Sequence, residues 1–185
     1  METKRLRKLI AGIWVMILAA MMSTACGASE KTPQKETENT AEESGSAEET
    51  ADAGDETFGL NEAAVFDKLK MTALEMKESQ GDEYIKPAEG KVFVGVKFQI
   101  ENISQEEQNV SSLLLFDAYV DGTKVDMEWM PPGDLSDGSL DGALAAGKNM
   151  QGYYVVQAGT DWSEIQLDVK SEWLGTAKAE FIFTK

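Results

Sequence analysis

Lys91–Glu101, KVFVGVKFQIE, is the stretch that decides the fold. Val92, Val94, Val96, Phe98 and Ile100 recur at every second position, with Phe93, Gly95, Lys97, Gln99 and Glu101 between them. Successive side chains of a strand point to opposite faces, so this period of two predicts a strand burying its valine face in a sheet. The opposite face, with Gly95, Lys97, Gln99 and Glu101, is expected to be the wetter one.

Working outward, the same alternation recurs. Leu69–Lys77 alternates through Leu69, Met71 and Ala73, then shifts phase to Leu74 and Met76, as a β-bulge would make it. Val110–Val120 reads as a strand, and Asp121-Gly122 as a two-residue hairpin turn returning through Thr123–Trp129. Asn149–Gln157 places Tyr154 and Val156 on one face and Tyr153 and Val155 on the other. Glu164–Val169 and Lys178–Phe183 alternate in turn. About seven short strands with frequent turns predict an all-β, antiparallel sandwich of immunoglobulin-like type over residues 58–185.

The segments GKVFVGVKFQIENIS, YVDGTKV and LDGALAAGKNMQGYYVV carry a resemblance. Through Gly90, Lys91, Phe93 and Asn102, then Gly142, Leu144, Ala145, Gly147, Lys148 and Gly152, residues 69–183 resemble the telokin-like, immunoglobulin-like domain of unknown function found in lipoproteins of Gram-positive bacteria. The resemblance implies a two-sheet sandwich. It implies no activity, since no catalytic residues of the family are there to be carried over.

Upstream of the domain the chain changes character twice. Met1–Ala25 begins with Lys4, Arg5, Arg7 and Lys8, runs uncharged from Leu9 to Met22, and closes on Ser23-Thr24-Ala25 before Cys26. Those are the parts of a secretory signal, and the 14-residue apolar run falls short of a membrane span. The ending resembles the lipobox of bacterial lipoproteins, with Ser23 where the family usually carries Leu. The resemblance implies that Cys26 is acylated and becomes the N-terminus. An ordinary signal cut after Ala25 is the alternative. Cys26 is the one cysteine of the chain, and an exported protein with a single cysteine calls for either a free thiol or a modified one.

Residues 27–57 contain no Leu, Ile, Val, Met or aromatic residue and carry a net charge of −8. Such a segment has too little apolar surface to offset the entropy of ordering it. With Cys26 it is expected to form a disordered tether, residues 26–57, spanning about 30 Å as a flexible coil.

Composition excludes several classes of chemistry. The chain has no His, so Ser-His-Asp and Cys-His nucleophile systems are impossible within it, and His/Cys zinc sites fall with them. No enzyme and no cofactor is expected. A net charge of −16 argues against nucleic acid and against anionic headgroups, leaving a lipid on Cys26 as the expected membrane contact. Asp134, Asp137 and Asp141, close together among glycines and serines, are weak candidates for calcium, although their spacing misses the EF-hand pattern at Ser136. Trp129, Met130, Pro131 and Pro132 are candidates for contact with a protein partner, being large apolar residues in an apparent loop. Trp162 and Trp173 either join them or cover the ends of the sandwich. The expected role is a non-enzymatic binding or accessory module of the cell envelope, held on the outer face of the cell membrane. The alternative is a sensor or substrate-binding lipoprotein presenting a small ligand or divalent cation.

Overall fold

The computed structural model describes residues 34–36, 57–172, 174 and 176–185. Within them the strands are β1 (Gln34–Glu36), β2 (Thr57–Phe58), β3 (Ala63–Val65), β4 (Leu69–Ser79), β5 (Lys91–Asn102) and β6 (Gln108–Val110). A four-residue helix, α1 (Ser112–Leu115), precedes β7 (Phe116–Val120) and β8 (Thr123–Val125). A 3-10 turn at Gly133–Leu135 and strands β9 (Gly142–Leu144), β10 (Asn149–Gly159), β11 (Glu164–Lys170) and β12 (Lys178–Thr184) complete the domain.

Two five-stranded sheets, β1-β3-β4-β5-β10 and β2-β12-β11-β7-β8, form a β-sandwich, with β6 and β9 paired apart from them. Pairing is antiparallel except where β2 lies parallel to β12. Seven of these strands answer to the seven expected. The other five are two or three residues long, too short for any alternation to show in sequence.

The valine face of β5 is the core face: Val92, Val94, Val96, Phe98 and Ile100 are all buried. Phe98 meets rings of the opposite sheet, with centroids 5.1 Å from Phe116 and 5.2 Å from Phe181, both edge-on. Tyr154 stacks on Phe116 from β10. Such pairs add to area burial, and they fix how the sheets face each other. The phase shift in β4 is a bulge between Ala73 and Glu75, leaving Leu74 as the extra residue. Asp121 and Gly122 both adopt positive φ, the geometry that matches a two-residue hairpin to strand twist. The Asp121 carboxylate also accepts the Ser163 and Glu164 amides, tying the hairpin to the start of β11.

The structure corrects the reading in four places. Val110–Val120 is not one strand, because it breaks at Ser111 and Ser112–Leu115 form helix α1. The return strand stops at Val125 rather than Trp129. Within the expected tether, Gln34–Glu36 pairs antiparallel with Val65, Ala64 and Ala63 as strand β1. An open sheet edge offers main-chain groups to any extended segment, so this pairing needs no apolar side chain. Finally, the second face of β5 is covered at Phe93 and Gly95, while Lys97, Gln99 and Glu101 stay partly exposed. Phe93 is buried there in a small cluster with Val155 and Leu135, and Ile85 and Tyr153 pack against it. Gly95 makes the space, since a Cβ there would stand 2.9 Å from the Leu135 side chain.

Burial pushes the Tyr154 hydroxyl up to about 12, and the acidic Asp117 and Asp126 reinforce it. The neutral phenol is thus favoured in the fold, and its contribution is fully present below the ordinary tyrosine value of about 10. It is lost as pH rises from there to the folded value. Tyr154→Phe should remove roughly 2 kcal/mol of this alkaline dependence. Urea melts of both proteins across that range check it, with parallel stability curves as the contrary result.

Candidate functional site

The connection from Val125 to Gly142 leaves its sheet and crosses the edge of the other one. The Glu128 amide donates to the Val155 carbonyl (2.7 Å) and the Ser139 amide to the Gln151 carbonyl (2.8 Å), so the chain touches the free edge of β10 at two points. Gly152 permits the second crossing, because a Cβ there would lie 2.8–2.9 Å from the Ser139 backbone. Between the crossings the loop bridges a groove of about 350 Å³, whose lining includes Leu113, Glu128, Trp129, Ser139, Asp141 and Tyr153. Leu135 and Leu140 are buried beneath the loop and anchor it.

The apolar quartet divides. Trp129 is 67% exposed and Met130 71% exposed, while Pro131 is half-buried and Pro132 buried. Trp129 and Pro131 line the groove. Leu113 and Leu114 of α1 are exposed as well. Leu113, at the groove itself, was hidden in sequence by the strand reading. The signal was there: three consecutive leucines after two serines break the alternation. Trp162 does not join this patch. It is buried, and its indole N–H donates to Glu78 (2.7 Å) while the Lys185 ammonium lies 5.3 Å from its ring centroid. Trp173 and Cys26 lie outside the described residues.

The three aspartates of the loop each have a separate partner. Asp134 pairs with Lys77 (3.0 Å) and accepts from the Ser79 hydroxyl. Asp137 pairs with Lys97 (2.7 Å), and these contacts hold both carboxyls below the usual carboxylate range. Asp141 accepts from the Ser112 amide and hydroxyl at 2.8 Å, fixing the start of α1. Each thus pins the loop to a different element, and among the described residues no three His, Cys, Asp or Glu side chains gather as a metal cage.

Residues 58–179 match the sequence pattern of a domain of unknown function, DUF4352. The chain belongs to the DUF4352 family. No curated protein matches it significantly. Among the solved structures that share the fold are two bacterial proteins. A candidate lipoprotein of Bacillus subtilis is 18% identical with a TM-score of 0.54, the alignment covering 64% of this chain and 37% of that one. An uncharacterised β-sandwich protein of Clostridium difficile is 16% identical with a TM-score of 0.51, over 75% of this chain and all of its own length. The DUF4352 chain therefore spans little more than a third of the Bacillus protein. At these identities the likeness is one of fold. Among the described residues of the DUF4352 chain, no helix is long and apolar enough to cross a membrane.

Proposed function

We propose that this DUF4352 protein is a non-enzymatic binding module of the cell envelope, lipid-anchored through Cys26 and docking a protein partner at the β10 groove. The observation that carries the docking role is the exposure of Trp129 and Met130 beside a formed groove. Large apolar side chains in solvent are a cost to a monomer, and tryptophan is the side chain most enriched at the centres of interfaces. The anchoring is supported by the sequence from Lys4 to Cys26 and by the fold shared with a candidate lipoprotein.

Two measurements test the two halves. Intact mass of the membrane-extracted protein should show an acylated Cys26 at the N-terminus, and Cys26→Ala should shift the protein out of the membrane fraction. An unmodified Cys26 in a soluble fraction refutes the anchor. A photocrosslinking residue in place of Met130 should give one discrete adduct in intact envelopes, whereas the same residue at exposed Tyr84 should not. Equal labelling from both positions refutes docking at the groove.

A further inference from the structure

We infer that the β10 groove takes an extended peptide segment of a partner protein that alternates cationic and apolar side chains. This deepens the binding-module reading and rests on it. Three independent features of the groove converge on that occupant.

The first is charge. The groove is lined by two carboxylates, Glu128 and Asp141, and by no Lys or Arg. Their hydrogen bonds come from neutral donors, Gln157 to Glu128 and Ser112 to Asp141, so neither charge is cancelled by these bonds. The nearby lysines are already engaged, Lys77 with Asp134 and Lys97 with Asp137. In a chain of net charge −16 this repels acidic peptides and anionic lipid surfaces and attracts cations.

The second is the exposed Trp129 ring, which lines the groove together with the exposed Leu113. A tryptophan face binds an apolar side chain or a guanidinium laid over it. The third is main chain. Strand alternation turns the carbonyls of Gln151 and Val155 outward, to Ser139 and Glu128. The same alternation turns the Tyr153 backbone outward, into the gap between the two crossings. A helix has no free main-chain groups in its middle to meet it, whereas an extended peptide does. Side chains of an extended peptide alternate in direction, so apolar ones can reach Trp129 while cationic ones reach Glu128 and Asp141.

The test is fluorescence anisotropy of the full chain in neutral detergent with a labelled nonapeptide alternating Arg and Val. Counterparts carry Glu for Arg or Ser for Val, and one is N-methylated at its central residue. The Arg–Val peptide should bind, weakening as salt is raised, and the three counterparts should bind at least about tenfold less well. Glu128→Gln, which retains the shape, and Trp129→Ala, an exposed site, should each weaken the Arg–Val peptide by about fivefold or more. Equal binding of the Glu–Val peptide, affinity indifferent to both substitutions, or no binding of any probe overturns the inference. An N-methylated peptide that binds as well overturns its extended main-chain geometry. A discrete adduct at position 130 alongside any of these failures leaves the docking site standing and rejects only the cationic, extended partner.

Discussion

Val94→Asp should cost several kcal/mol and leave the domain largely unfolded under conditions where Lys97→Asp remains folded. Val94 is 1% exposed, pairs across β5 with Val156 and Glu78, and faces the interior. An aspartate there would be a carboxylate in the apolar core. It would have to stay ionised without a partner or take up a proton, and both routes disfavour folding. Lys97 stands on the other face, with its ammonium 2.7 Å from Asp137 and 5.4 Å from the centre of the Tyr153 ring. Its replacement by Asp removes an ion pair and sets a third carboxylate beside Asp137 and Glu75. That exceeds the usual effect of a surface change but falls well short of the Val94→Asp loss, and salt diminishes it. Urea melts decide between them. A greater loss from Lys97→Asp would reverse the faces of β5, and two neutral substitutions would remove it from the core.

Asn102→Ala ranks next, at roughly 2–4 kcal/mol, because a fully buried amide satisfies several loop groups at once. The Asn102 Nδ2 donates to the carbonyls of Glu106 (2.7 Å) and Leu144 (2.8 Å), and its Oδ1 accepts from the Ser104 amide and hydroxyl. Its backbone adds bonds to Lys148 and from Gly147. Truncation leaves the Leu144 carbonyl without this donor at the end of β9 and loosens the turn that follows β5. Asn102→Asp should be at least as damaging at neutral pH, since it sets an acid against two carbonyls. Protonation restores a donor, so that variant should regain stability as pH falls through its raised folded value. Urea melts at neutral and mildly acidic pH test this, and an Asn102→Asp protein that loses stability on acidification in step with Asn102→Ala contradicts it.

Asn102 also shows how far a motif can be understood from sequence. The Asn ending a G-K-x-apolar strand was legible as part of a family pattern, and the pattern gave no reason for it. The reason lies in Leu144, 42 residues away, whose carbonyl needs a buried donor. Gly152 behaves likewise: the motif marks the position, and the Ser139 backbone crossing it supplies the cause. Trp129 and Met130 were candidates for exposure because of Pro131 and Pro132, yet the strand reading ran through to Trp129, and their exposure follows from the strand ending at Val125. Trp162 was not placed by sequence, since its burial depends on Glu78 and Lys185 arriving from other parts of the chain.

The sandwich and its inner face follow from the order of residues alone. Period-two alternation in β5, β10, β11 and β12 forces each strand to bury one side, and the hairpin at Asp121-Gly122 and the bulge at Leu74 are local events set by local residues. The lack of histidine is likewise a property of the chain read in order. Which side chains meet outside the strands depends instead on how the folded chain packs. The loop after β8 shows no period, yet its path over β10 buries Leu135 against Phe93, separates Asp134, Asp137 and Asp141 onto three elements, and opens the groove beside Trp129. Those contacts join residues distant in sequence through main-chain bonds and close packing, neither of which leaves a pattern in the order of amino acids.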